Sequence, residues 1–311
     1  MLKKFIAVFA VMLLAGCSSI LSLDNKDNES SNRIDKWKEL KQKVPFNVSK
    51  EAKNFLLIGV DSRGETDSRS DAIVLARYEP SGDSIKLVSL MRDSYVKIPD
   101  YPKQYSKLNH AYYIGGAELL SQTVEENFDI EIDHTAVIDF KGFIDTLDTI
   151  APDGLEVDVP QVMIDDMNLE LSPGKHKLHG EELLSYVRFR HDDQSDFGRV
   201  DRQQEVIQLM KEEIKSQLTS VEGIAKSPEM IKEVMKNIET DIHLDEVFAL
   251  AAAFMLNPIS EVESLRIPVA NSFEDKVSNH AGAVLQLDFP ENISALKEFL
   301  NEENDSIEVN N

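Results

Sequence analysis

A chain of 311 residues with 33 basic against 56 acidic side chains, and a formal net charge of −23, excludes a general nucleic-acid binder, which needs a basic footprint. Any anionic ligand must instead be held by local cations at contact range, because repulsion from the rest of the surface is screened beyond about 8 Å. The single cysteine, Cys17, excludes an internal disulfide and a thiolate metal cluster.

Taken in chain order, residues 1–16 carry Lys3 and Lys4 and then an apolar run, the order of a secretory signal and too short to span a bilayer as a mature helix. The run ends Leu14-Ala15-Gly16-Cys17, the pattern read by lipoprotein processing. Cys17 is therefore expected to carry diacylglycerol, two acyl chains anchoring stably where one is marginal. That places the chain on the outer face of a bacterial cytoplasmic membrane. Residues 17–45 read as a tether, its first half rich in Ser, Asn and Asp, followed by an amphipathic stretch with Trp37, Leu40, Val44 and, just past it, Phe46. Residues 46–300 hold one domain without a repeat or a Gly/Ser-rich break, and 301–311 form an acidic, disordered tail.

Within the domain, the apolar run at 55–60 predicts a buried strand. Strands over 72–78 and 84–90 flank Pro80-Ser81-Gly82-Asp83, a hairpin signal. A helix over 116–128, a strand over 134–139, a helix over 140–149 and a strand over 155–159 follow. Helices are then predicted over 181–189 and 199–218, and around Met230 and Val247. Strands over 264–269 and 283–289 precede a last helix over 293–300. This alternation predicts an α/β fold, a mixed central sheet sandwiched by helices. Charged motifs fall at strand and helix ends, where sites in open α/β sheets gather.

Ten arginines serve the chain, and eight lie between Arg63 and Arg202 in segments rich in aspartate. A single Arg–Asp neighbour pair is ordinarily a surface ion pair. Recurrence on several ordered segments reads instead as a metal-assisted phosphate site: guanidinium forks suit phosphate oxygens, and paired carboxylates suit a hard divalent cation. Arg188 and Arg190 would diverge by about 200° on a continuous helix, so a shared anion requires the helix to end near Phe189. Asp93 or Asp196 could take a proton from an attacking hydroxyl, and Asp196 could equally cap the next helix. Tyr112, Tyr113, Ile114, Val137, Ile138, Phe140 and Phe143 are candidates to line an apolar pocket.

The motifs Leu57-Ile58-Gly59-Val60-Asp61-Ser62-Arg63, Arg69-Ser70-Asp71-Ala72, Ser89-Leu90-Met91-Arg92-Asp93, Lys107-Leu108-Asn109-His110-Ala111-Tyr112 and Gly198-Arg199-Val200-Asp201-Arg202-Gln203 stand in order over residues 54–215. In these the sequence resembles the LytR-CpsA-Psr family, extracytoplasmic enzymes that move a glycopolymer from undecaprenyl pyrophosphate to a peptidoglycan hydroxyl. The resemblance implies that Asp61 and Asp71 hold Mg²⁺, that Arg69, Arg92, Arg188, Arg190 and Arg199 bind the pyrophosphate, and that Lys107 and Gln203 complete a polar mouth above a polyprenyl pocket. Arg63, Asp196 and Arg202 are counted with the substrate contacts. It also implies teichoic acid or capsule precursors and peptidoglycan as partners. Two departures stand out: a lipobox where the family usually has a transmembrane helix, and Asp153-Gly154 where a glycine pair is expected before a strand. Two other readings use the same residues, a lipid pyrophosphatase with water as acceptor and a non-catalytic envelope regulator that binds polyprenyl carriers.

Overall fold

The computed structural model describes residues 51–61, 70–79, 84–167, 169–189, 196–217, 221–243, 246–247, 249–250 and 261–301. The expected signal, tether and acidic tail, and the turn at 80–83, lie outside them. Twelve strands are described: β1 (Lys53–Val60), β2 (Ser70–Tyr78), β3 (Ser84–Leu90), β4 (Tyr95–Lys97), β5 (Tyr105–Lys107), β6 (His134–Asp139), β7 (Leu155–Val159), β8 (Gly174–Leu178), β9 (Glu239–Thr240), β10 (Glu261–Ile267), β11 (Phe273–Ser278) and β12 (Gly282–Leu287). The helices are α1 (Leu108–Phe128), α2 (Phe140–Ile150), α3 (Gln161–Met167), α4 (Gly180–Arg188), α5 (Asp196–Gln217), α6 (Val221–Met235) and α7 (Phe289–Leu300).

Six strands form one mixed sheet in the order β10-β3-β2-β1-β6-β9. β2 lies antiparallel to both β1 and β3, while β6 runs parallel to β1 and β10 parallel to β3. The apolar run of β1 is buried throughout after Lys53, as a central strand covered on both faces must be. Alternation divides it: Phe55 and Leu57 face one core with α2, α4 and α5, whereas Leu56, Ile58 and Val60 face a second core with α1 and α7. This is the sandwich read from the sequence.

Differences from the sequence reading have local causes. α1 begins at Leu108, about two turns before 116, and the non-helical angles of Gly115 and Gly116 kink it between those first turns and the segment read as helix. β4, β5 and β9 are two or three residues long and carry no usable period. Gly154 takes φ +77 in the turn before β7, where a Cβ would meet the Leu178 carbonyl oxygen at 2.9 Å, so Asp153-Gly154 does make that turn. Gly180 lets α4 press onto α2: an added Cβ would lie 2.5 Å from Ile144. The start of α4 is further held by its backbone N–H donating to Asp148 at 3.1 Å and by a capping box between His179 and Glu182. Among the described residues, no helix is long and apolar enough to cross a membrane.

Candidate active site

The site grows from the ends of β1 and β2. Gly59 pairs with Ala72 but Val60 pairs with Ser70, so Asp71 is the extra residue of a bulge, beside the strand end that delivers Asp61. Bulges re-aim a side chain, and here the re-aimed group is a carboxylate. β6 ends alongside, Val60 opposite Asp139, and Asp139 caps α2 by accepting from the Gly142 N–H at 3.0 Å. That cap starts a helix whose first residue, Phe140, lies against the same edge.

Arginines arrive from three directions. Arg92, two residues beyond β3, donates from Nη1 to Asp71 Oδ1. Arg199, on the first turn of α5, places Nη1 3.8 Å from the same oxygen. Arg188, the last residue of α4, donates from Nη2 to Asp61 Oδ2 at 3.2 Å and lays its guanidinium 4.0 Å from the centre of the Phe140 ring. The Arg199 side chain is 4% exposed and that of Arg188 39%, so Arg199 is the fixed charge in the floor and Arg188 the accessible one at the rim. The ion-pair chain continues outward: Arg92 Nε lies 3.5 Å from Asp93 Oδ2, and Lys107 Nζ donates to Asp93 Oδ1 at 2.6 Å.

Two cavities share this charged edge. One, of about 240 Å³, is lined by Asp71, Asp166, Ser185, Arg188, Phe189, Arg199 and Gln203. The other, an apolar slot of about 60 Å³, adjoins it and includes Phe140, Phe143, Leu184, Val187, Ile207 and Met210 in its walls. Asp71, Arg188 and Gln203 border both. The arrangement offers a charged head site continuous with an apolar tail site.

The helix carrying Arg188 does end where convergence requires: Phe189 has φ −60 and ψ 138, an extended conformation. Arg202 fixes that end, donating to the Phe189 carbonyl at 2.6 Å with its guanidinium 5.2 Å from the Phe189 ring. Arg202 is thus turned onto the chain and not into either cavity. Tyr186 ties α4 to α5 by donating to Glu205 at 2.6 Å; burial, then this hydrogen bond, pushes its phenol up, so it stays a donor. Arg63, Arg69 and Arg190, and the side chain of Asp196, lie outside the described residues.

Of the apolar candidates, Phe140 and Phe143 line the slot. Val137 and Ile138 are sheet core, and Tyr112 packs on the α1 side, its phenol pushed up to about 12 by burial. Tyr113 and Ile114 are exposed. Sequence reasoning missed Asp166 altogether, and missed the slot-lining faces of α4 and α5. The helical spacing of Leu184, Val187 and Arg188, and of Gln203, Ile207 and Met210, is the signal that would have found those faces.

For a metal, Asp61 and Asp71 offer hard carboxylate oxygens from adjacent strand ends. Mg²⁺ commonly takes one or two carboxylates and completes its octahedron with water and phosphate oxygens. Among the described residues no group of three or more His, Cys, Asp or Glu is placed to hold a metal. A pair of carboxylates fits an ion shared with a phosphate ligand.

A family model, described as the LytR_cpsA_psr family, matches residues 17–295. The chain is 37% identical over 250 residues to Regulatory protein MsrR of Staphylococcus aureus, covering 80% of this chain and 75% of that protein. It is 33% identical over 264 residues to the polyisoprenyl-teichoic acid–peptidoglycan teichoic acid transferase TagU of Enterococcus faecalis, covering 80% and 82%. Among solved structures, TagT bound to LI-WTA superposes with a TM-score of 0.63 at 29% identity, covering 83% of this chain and 94% of that one. The YwtF (TagT) structure with bound octaprenyl pyrophosphate lipid gives 0.59 at 26% identity, covering 83% and 93%.

Proposed function

Because the chain belongs to the LytR-CpsA-Psr family, we propose that it is an extracytoplasmic phosphotransferase that moves a glycopolymer of teichoic acid or capsule type from undecaprenyl pyrophosphate to a peptidoglycan hydroxyl. The observation that carries this reading is the joining of a cavity walled by Arg188, Arg199 and Asp71 to an apolar slot walled by Phe140 and Phe143. A polyprenyl pyrophosphate has that same division into a doubly charged head and an apolar tail. The names of TagU and TagT, and the octaprenyl pyrophosphate in the TagT structure, support the same donor class.

Phosphoryl transfer asks the protein for alignment and charge stabilisation more than for covalent chemistry. Arg92, Arg188 and Arg199 exchange their carboxylate partners for phosphate oxygens, and their fixed forks strengthen as charge builds on the departing lipid phosphate. Asp61 and Asp71 would hold Mg²⁺, which when bound neutralises the pyrophosphate. Arg202 and Tyr186 act on the substrate only through the α4 end that they hold in place. Asp93, which Arg92 and Lys107 hold beside the site, is the described candidate to accept the proton of the attacking hydroxyl. Asp93→Asn should lower kcat by about 10²-fold; an unaltered kcat removes it from the role.

Anchoring rests on the lipobox ending at Cys17. Labelled fatty acid should appear on the intact chain and vanish in Cys17→Ala, and label persisting on that variant would reject the anchor. For the activity itself, the test is purified protein with lipid-linked polymer, Mg²⁺ and nascent peptidoglycan. Polymer that stays on the glycan after detergent extraction supports the reading, and polymer released free in solution supports the pyrophosphatase instead.

A further inference from the structure

The antiparallel pair β4 and β5 repeats one pattern, Tyr95-Val96-Lys97 against Tyr105-Ser106-Lys107. The register sets each tyrosine opposite a lysine, Tyr95 across from Lys107 and Lys97 across from Tyr105. Residues directly opposite share a face. Val96 and Ser106 point inward and are buried, so the two tyrosines and two lysines form the outer face of the ribbon. The Tyr95 and Tyr105 rings stack with centres 5.7 Å apart, and Tyr105 is 41% exposed. The β11–β12 hairpin closes one side: His280 meets the Tyr105 carbonyl through Nε2 at 2.7 Å, with its ring 6.4 Å from that of Tyr95.

This ribbon is continuous with the active site. Lys107, on its face, holds Asp93 and through it Arg92. It also lies on the other side of the sheet from the tail slot. Phe143, Leu184, Val187, Ile207 and Met210 of the slot belong to one core, and Val96 beneath the ribbon belongs to the opposite one. In a near in-line displacement the attacking oxygen approaches opposite the leaving oxygen. With the lipid leaving on the slot side, the acceptor has to come from the ribbon side. The ribbon offers rings and ammonium groups but no arginine fork, which suits the C–H faces and hydroxyls of sugars better than phosphate.

We propose that the Tyr95–Tyr105 ribbon is the docking surface for the acceptor, a glycan strand of peptidoglycan-type amino sugars that stacks on the tyrosines and presents its hydroxyl toward Arg92. The proposal rests on the transferase reading for its choice of acceptor over donor, and the test keeps the two apart. Binding of soluble, uncrosslinked peptidoglycan glycan strands is measured directly by calorimetry, without donor, for the full chain and for Tyr95→Ala, Tyr105→Ala and Tyr105→Phe. Transfer kinetics are measured separately with donor saturating. Loss of one stacking ring should weaken strand binding and raise acceptor KM by about five- to ten-fold, while Tyr105→Phe stays close to the parent. Donor affinity and the thermal transition should be unchanged, since these rings sit at the surface. Strand binding and acceptor KM unaffected by both alanine variants would overturn the ribbon while leaving the transferase reading intact. A parent chain that binds strands through the tyrosines yet transfers nothing would uphold the ribbon and defeat the transferase.

Discussion

An Asp71→Asn variant is expected to lose activity and stability together. Asp71 is a carboxylate that Arg92 and Arg199 share, and Arg199 is almost wholly buried. Removing its charge leaves two guanidiniums close together without their common counter-ion. The expected loss of stability is about 1–3 kcal/mol, below the figure for a fully buried pair because Asp71 retains some solvent contact. Transfer should fall by about 10²–10³-fold, as both phosphate alignment and any metal ligation at the bulge are lost. Inorganic pyrophosphate should raise the melting temperature of the variant more than that of the parent, because the two arginines regain an anion. Full activity in Asp71→Asn at limiting Mg²⁺, with an unchanged melting temperature, would contradict this account of the site.

The second large effect is at Arg188. Its guanidinium does three things at once: it pairs with Asp61, stacks on Phe140 and borders both cavities. Lysine keeps the charge but has neither the flat surface for the ring nor the two-pronged donor set. Arg188→Lys should therefore weaken binding of a polyprenyl pyrophosphate by about 10- to 150-fold, the range for losing one charge-assisted hydrogen bond. Because Arg188 is substantially exposed, the fold should tolerate the change, and thermal melting should move little. Titration with a short-chain prenyl pyrophosphate checks this without requiring turnover. Parent-like affinity in the lysine variant would show that the fork does not contact the head group.

Much of this was legible in the sequence because long apolar runs have one interpretation. The strand at 55–60, the hairpin partners at 72–78 and 84–90 and the strand at 134–139 form the sheet, and the charged motifs follow their ends as expected. The need for α4 to stop near Phe189 could be argued from the two-residue spacing of Arg188 and Arg190 alone. The bulge at Asp71 could not, since it is a property of pairing: it exists only once Val60 has chosen Ser70. Asp166 was hidden for a related reason. It sits on a short helix whose sequence has no marked period, and only the fold brings it to the same cavity as Ser185 and Arg188 of α4. Tyr95 and Tyr105 look like isolated aromatics until the register of a three-residue ribbon puts them on one face. Arg202 shows the opposite limit. The motif groups it with Arg199, yet three residues farther along α5 it has turned to the Phe189 carbonyl.

Transfer and hydrolysis share the same donor, the same arginines and the same departing lipid phosphate, and differ in which oxygen ends on the polymer's phosphorus. The decisive measurement is therefore the reaction run in ¹⁸O-labelled water with lipid-linked polymer, Mg²⁺ and peptidoglycan, followed by mass spectrometry of the polymer's terminal phosphate. The account predicts a phosphodiester to a glycan sugar with no ¹⁸O at that phosphorus, and lipid monophosphate released in step with attachment. A free polymer phosphate carrying ¹⁸O, formed at the same rate with or without peptidoglycan, would contradict it.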